Sequence, residues 1–461
     1  MQIHTIYGPP GTGKTTELLR ILEQELETYE PEEIAYVSFT KEGSEQGKRR
    51  AIDSFGYDAE RFPHFRTLHS LAFRALKLSR NDVMDKPNYK ELSSRIGMRF
   101  TGYYTEEFRN DDDQYIFFDE LYRNNPTTAR LYLDRMDIRK LTYVRKSYAA
   151  FKKAKGLVDF TDMIEQFVER GEAAEGVRVA FVDEAQDLTT LQWKMVWTAF
   201  KHCDKVYIAG DDDQAIYQWS GADVDYFLNI QGLPTILHHS YRLPDSVLRF
   251  AKRISAQISR RIDKKYNGRG EEGDVQFHNV LESVPLDVDK RTMFLTRNHS
   301  FMSRIEAHLR KRVAVYTING NPSVTKDELD AIALYEQVRN SHLMDIQKEI
   351  KLRKFLKPKF DLNEPWYNSF KWDPEKVAYM RDVIRTRPDI NNRNVRVSTI
   401  HASKGAEADE VVLLLDITKN VSVNLSANPD SEHRAFYVGA TRAKNRLHVV
   451  YANTRNAYPI Y

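Results

Sequence analysis

The first apolar and β-branched cluster in the chain is Gln2-Ile3-His4-Thr5-Ile6-Tyr7, a short run that predicts a strand. Leu19, Leu22 and Leu26 then fall at i, i+3 and i+7, the spacing of one buried face on an amphipathic helix. Ile34-Ala35-Tyr36-Val37-Ser38-Phe39-Thr40 reads as a second strand entering a polar loop, Lys41 to Gly47, and Phe65 to Ser70 opens a helical stretch through Leu76. Residues from about 79 to 156 break this α/β rhythm. They are rich in Tyr and Phe, carry the acidic turn Asp111-Asp112-Asp113, and predict an inserted helical subdomain. Its last part, Arg135 to Lys155, holds eight Lys or Arg against one Asp, a run that a solvated helix face explains as readily as nucleic acid does. The α/β pattern resumes with Val177 to Val182, apolar at alternate positions and wholly apolar at its end, and with Lys205-Val206-Tyr207-Ile208-Ala209. Near the C-terminus Arg446-Leu447-His448-Val449-Val450-Tyr451 predicts another strand.

Between the first strand and the first helix stands Gly8-Pro9-Pro10-Gly11-Thr12-Gly13-Lys14-Thr15, which fills the template G-x-x-x-x-G-K-[ST] in the required strand–turn–helix context. Such a turn is an anion site. Backbone N–H groups from Gly8, Gly11, Thr12, Gly13 and on to Thr16 converge on phosphates, and the positive end of the helix dipole adds to them. Lys14 is expected to reach the β- and γ-phosphates and the Thr15 hydroxyl to ligate Mg²⁺. A second signal follows the strand that ends at Val182: Asp183-Glu184-Ala185-Gln186-Asp187. In a chain with a phosphate loop, Asp183 can hold Mg²⁺ through its shell while Glu184 polarises the attacking water. A carboxylate pair that merely caps the next helix is the blander alternative.

After the strand Lys205 to Ala209 comes Gly210-Asp211-Asp212-Asp213-Gln214-Ala215-Ile216-Tyr217-Gln218-Trp219. With it, the set of segments resembles the UvrD/Rep/PcrA family of superfamily 1 DNA helicases. The resemblance implies an α/β fold with two RecA-like P-loop motor domains on parallel sheets, each interrupted by an inserted, mainly helical subdomain. It assigns Gln214 to sensing the γ-phosphate. His238-His239-Ser240-Tyr241-Arg242 resembles the segment opening the second motor domain, with Tyr241 on the base and Arg242 on the γ-phosphate. Val397 to Glu407 resembles the family's fifth motif, with Glu407 on the ribose, and Glu432 to Ala443 the sixth, with Arg442 as a second arginine finger. Arginines brought from a second domain make hydrolysis conditional on closure, which is how a motor couples chemistry to movement. Phe39, Tyr217 and Trp219 match stacking positions for single-stranded DNA; Thr67, His69, Thr399 and His401 match DNA contacts. Base stacking on such rings tolerates any sequence. Tyr458, sixteen positions beyond Arg442, falls where the family's pin places an aromatic against the first base pair; a tyrosine packed on its own domain is the alternative.

The implied domains are 1–78 with 157–236, the insert 79–156, 237–325 with 391–461, and a short insert 326–390. Length agrees, since 461 residues suggest roughly three domains at about 150 each. A lone Cys203 excludes an internal disulfide and cysteine-rich zinc sites, and fits a reducing, cytoplasmic setting. No apolar run approaches the roughly 18 residues of a membrane span, and the phosphate loop begins where a signal peptide would sit. The net charge is only +3, so nucleic-acid binding must come from local patches. Four departures from the family stand out. The chain starts too late for the glutamine that the family usually carries upstream of the phosphate loop to read adenine, Ser220 replaces a common Arg, the insert 326–390 is short though basic, and the chain stops at Tyr461. The expected activity is ATP- and Mg²⁺-dependent movement along single-stranded DNA, 3′ to 5′, with unwinding at single-strand/duplex junctions. A protein-remodelling ATPase and a non-catalytic DNA-binding module with a degenerate nucleotide site are the alternatives. Tyr217 with Trp219 weighs against the first, and intact Lys14, Asp183, Glu184, Gln214 and Arg442 against the second.

Overall fold

The structure, a computed structural model, describes residues 1–38, 41–102, 104 and 110–460. The chain forms two compact units: 1–272 with 425–437, and 273–424 with 438–461.

Unit 1 is built on six strands: β1 (Gln2–Tyr7), β2 (Ile34–Ser38), β3 (Phe65–Thr67), β4 (Val179–Asp183), β5 (Lys205–Gly210) and β6 (Leu233–Ile236). They pair in the order β3-β2-β4-β5-β1-β6, every pair parallel. Alternation along the strands explains why both faces are covered. Ala35, Val37, Ala180, Val182, Val206 and Ile208 enter one core, and Ile34, Tyr36, Val179, Phe181, Tyr207 and Ala209 enter another. A parallel sheet buried on both faces must be apolar at nearly every position, and β2, β4 and β5 come close to that. The helix Lys14–Glu25 sends Leu18 and Leu22 into the second core. Because all six strands run the same way, the residues following β1, β4 and β5 emerge at one edge, where parallel α/β sheets bind their ligands.

The stretch from 79 to 156 is helical among the described residues, with helices Lys86–Ile96, Asp113–Asn124, Pro126–Arg130 and Ile138–Lys155. It has its own core of Leu92, Ile116, Leu121, Val144 and Tyr148. Residues 237–272, grouped from sequence with the second motor domain, pack in unit 1.

Unit 2 carries β7 (Asp274–His278), β8 (Thr292–Thr296), β9 (Thr317–Ile318), β10 (Asn321–Pro322), β11 (Val395–Thr399), β12 (Ala408–Leu414) and β13 (Ala443–Val450). The order is β10-β9-β11-β8-β12-β13-β7, parallel except for the β9–β10 pair. The segment 326–390 adds helices Lys326–Ser341, Ile346–Arg353, Trp366–Ser369 and Pro374–Thr386, whose Tyr335, Trp366, Phe370 and Tyr379 share one core with Phe294, Val397 and Val412 of the sheet. The fold is α/β on two mainly parallel sheets.

Candidate nucleotide site and nucleic-acid face

The phosphate loop owes its shape to its glycines. Gly11 and Gly13 sit at φ +71° and +79°, the left-handed region that an L side chain enters at a cost. A Cβ on Gly8 would lie 1.9 Å from Lys14 Cγ, because Lys14 folds back along the loop and its Nζ donates to Gly8 O at 3.3 Å. The Thr12 hydroxyl donates to Pro9 O at 2.8 Å, and Gly8 N–H is tied to Gly210 O at 3.0 Å, linking the loop to the end of β5. Thr15 and Thr16 follow in the first turn of the helix.

At the end of β4, Asp183 is buried and its Oδ2 accepts from the Tyr36 hydroxyl at 2.6 Å. Burial, with the Glu184 charge beside it, pushes the Asp183 carboxyl up to about 6 against the opposing pull of Tyr36 and Lys14. Glu184 adopts φ 53°, ψ 39°, a left-handed conformation, and its carboxylate stands 3.7 Å from Lys14 Nζ. Gln186, fully buried, donates from Nε2 to Glu184 Oε2 at 2.5 Å and accepts the Asp211 N–H on Oε1 at 3.0 Å. Gln214 is buried and donates from Nε2 to Asp211 Oδ2 at 2.7 Å. Lys14, Asp183, Glu184 and Gln214 are thus joined by one network at one sheet edge.

The segment 238–242 is stitched to the same loop. Ser240 Oγ donates to Pro10 O at 2.7 Å and Tyr241 N–H to Gly11 O at 2.8 Å. A Cβ on Gly11 would meet Arg242 Cβ at 2.3 Å, so the glycine lets Arg242 lie against the loop. Arg242 therefore reaches the phosphate loop from within unit 1, which corrects the expectation that it arrives only when a second domain closes. Tyr241 is 72% exposed, with its ring against His239 at 4.7 Å.

Oxygen-only chemistry at Asp183 and Thr15 suits a hard cation, and among the described residues no group of three or more His, Cys, Asp or Glu forms a metal cage. Mg²⁺ held by one or two protein oxygens, with phosphate and water completing its shell, fits that arrangement.

The expected DNA positions have diverse surroundings. Thr67 caps the helix Leu68–Ala75, its hydroxyl accepting the Ser70 N–H at 3.2 Å. In the same helix burial lowers His69 to about 4, so it is neutral at pH 7 and would meet a phosphate as an N–H donor, not as a cation. Tyr217 and Trp219 are half-buried in the turn after β5, and Trp219 stacks on Phe117 of the helical insert with ring centroids 5.8 Å apart. Phe39 lies outside the described residues.

In unit 2, Thr399 is buried at the end of β11 and accepts the Ala402 N–H at 3.2 Å, with His401 half-buried in the turn that follows. Glu407 pairs with Lys444 at 3.1 Å. Arg442 is buried, donating to Val438 O at 3.0 Å and Ala406 O at 3.3 Å. Tyr458 is only 2% exposed, and its N–H donates to Leu415 O at 2.9 Å. This corrects its reading as a separation pin, since a ring packed in its own domain presents no face to a base pair.

Three residues of these networks escaped the sequence reading of roles. Tyr36 and Ser240 look like ordinary strand and loop residues, and Gln186 sits unremarked inside the acidic segment. Their partners lie far away in sequence, so no local spacing marks them.

A parallel sheet whose first strand feeds a phosphate loop, with an acidic pair on a neighbouring strand end, defines a P-loop nucleotide-binding protein. The profile of the UvrD/Rep helicase N-terminal domain matches residues 2–234, and that of the UvrD-like helicase C-terminal domain residues 394–450. The chain belongs to the UvrD/Rep helicase family. It is 20% identical to the ATP-dependent DNA helicase Rep of Buchnera aphidicola subsp. Acyrthosiphon pisum over 97% of this chain and 92% of that protein. Identity is 24% to the ATP-dependent DNA helicase PcrA of Leuconostoc citreum and 26% to DNA helicase II of Escherichia coli, each over 57% of this chain. Those two matches span 38% and 40% of the relatives' own lengths.

Proposed function

We propose that the chain is an ATP-driven DNA helicase or translocase that runs on single-stranded DNA, 3′ to 5′, and opens duplex at single-strand junctions in the cytoplasm. The observation that carries this reading is the single network joining Lys14, Glu184, Gln186, Asp211 and Gln214 beside the phosphate loop. In it the loop N–H groups and Lys14 bind the triphosphate, and Arg242 adds positive charge where negative charge develops as the terminal phosphoryl group departs. Glu184, held by Gln186, accepts the proton of the attacking water. Asp183 and Thr15 would hold Mg²⁺, which would neutralise phosphate charge there. Tyr217 and Trp219 follow Gln214 by three and five residues, so a change at the phosphate has a short route to the stacked bases. For Thr399, His401, Glu407 and Arg442 the roles remain those the family resemblance implies. Among the described residues no helix is long and apolar enough to cross a membrane.

The test is strand displacement with 3′-tailed and 5′-tailed duplexes in the presence of ATP and Mg²⁺. Opening of the 3′-tailed substrate alone supports the reading. ATP hydrolysis that ignores DNA, with neither substrate opened, favours a protein-remodelling ATPase.

A further inference from the structure

At the end of β5, three consecutive carboxylates turn inward around one ammonium. Lys264 Nζ lies 2.9 Å from Asp211 Oδ1 and 3.1 Å from Asp213 Oδ2, and is closest to Asp212 Oδ1; all four side chains have no solvent exposure. Arg261 grips Asp213 with two bonds, 2.8 and 2.6 Å, and the Ile262 N–H donates to Asp212 Oδ2 at 2.9 Å. Arg434 donates to the main-chain oxygen of Asp212 at 2.8 Å and, through its other arm, to Arg260 O at 2.6 Å. Burial alone would pull the Lys264 ammonium down, but the three aspartates more than reverse it, so it stays charged.

A cluster of this kind is poorly explained by stability. Buried ion pairs lose much of their attraction to desolvation, and well-packed apolar replacements often do as well. What the cluster provides is a fixed geometry, and Asp211 is where that geometry matters. Its Oδ1 faces Lys264, its Oδ2 accepts the Gln214 amide at 2.7 Å, and its N–H donates to Gln186, which in turn holds Glu184. Without Lys264 the Asp211 carboxylate, buried among Asp212 and Asp213, must take up a proton or swing away. Either change removes the acceptor that orients Gln214.

We infer that Lys264 is a positioning residue for hydrolysis: by locking Asp211 it aims the Gln214 amide. The Lys264 side chain is fully buried. The inference rests on the role proposed above for Gln214.

A double-mutant cycle tests it, using Lys264→Met, Gln214→Ala and the pair, with kcat and KM for ATP measured on single-stranded DNA and thermal unfolding recorded for each. Lys264→Met is expected to lower kcat by ~10-fold or more while KM for ATP moves by less than about 3-fold, because Lys14 and the loop still bind the triphosphate. The double variant should be no slower than Gln214→Ala alone, since groups acting as a unit are not additive. Lys264→Arg should recover part of the loss. A wild-type kcat in Lys264→Met, or losses that multiply, would overturn the inference while leaving the proposed function standing. If instead Gln214→Ala hydrolyses ATP at the wild-type rate, the role of Gln214 falls and this inference with it. Should Lys264→Met not fold, Asp211→Asn removes the same ion pair from the other side and is read in the same cycle.

Discussion

Glu184 holds a left-handed backbone conformation that a non-glycine residue occupies at a cost of roughly 1–3 kcal/mol. Its neighbours over-determine it, since its N–H is taken by Asp183 Oδ1 at 2.8 Å and its carboxylate by Gln186. That kind of restraint suits a group that must meet one water in one orientation. Gly8 shows the same economy from the other side. Gly8→Ala places a Cβ on Lys14 Cγ, so Lys14 must leave its rotamer. The variant should keep its fold and unfolding temperature but lose triphosphate affinity by at least ~10-fold in equilibrium titration, the scale of one lost charge-assisted contact. Tyr458 gives the opposite prediction. As a buried ring, its replacement by Ala should destabilise the protein by about 3–5 kcal/mol in chemical denaturation. ATPase and unwinding should then decline together on warming, whereas selective loss of unwinding would return the ring to the DNA.

The helix Leu68–Ala75 shows what an element adds. Thr67 spends its hydroxyl on the N-cap, and the histidines on either side of it are pulled down in pKa, His64 and His69 each to about 4, chiefly by burial. In the unfolded chain they titrate near 6.5, so between about 6.5 and 4 the unfolded state binds more protons, and stability is lost as pH falls through that window. Denaturation midpoints measured from pH 7 to 4.5 should drop, and His69→Gln should flatten the drop. Trp219 belongs to two elements at once, the turn after β5 and, through Phe117, the helical insert. Trp219→Ala should cost about 1–3 kcal/mol of single-strand affinity, roughly 5- to 150-fold in Kd by fluorescence titration, with a much smaller change in DNA-free ATPase. The sequence made the phosphate-loop strand legible to the residue, because β-branched residues ending in a glycine turn leave little choice. It also marked the ends of β4 and β5 within one or two residues. It did not reveal the three-residue β3, read as part of a helix, because so short a strand shows no period of its own. Nor could spacing show that Tyr458 is buried or that Lys264 meets Asp211, since both depend on contacts made between distant segments.

For the whole molecule, the two units divide the expected roles unevenly. The phosphate loop, the acidic pair, Gln214, Tyr241 and Arg242 all belong to unit 1, so triphosphate binding should need little from unit 2. Tyr241 offers an exposed ring that accepts any base. GTP and CTP should therefore support DNA-stimulated hydrolysis alongside ATP; strict dependence on ATP in a nucleotide panel would show that another group reads adenine. The central claim is that this network hydrolyses ATP in response to single-stranded DNA with Glu184 as the base. It is tested most directly by steady-state ATPase of the wild type and Glu184→Gln, with and without single-stranded DNA, alongside ATP binding. The account predicts stimulation by DNA in the wild type, and in Glu184→Gln retained ATP binding with turnover reduced by roughly 10²- to 10⁴-fold. Wild-type turnover in Glu184→Gln, or hydrolysis in the wild type that DNA leaves unchanged, would contradict it.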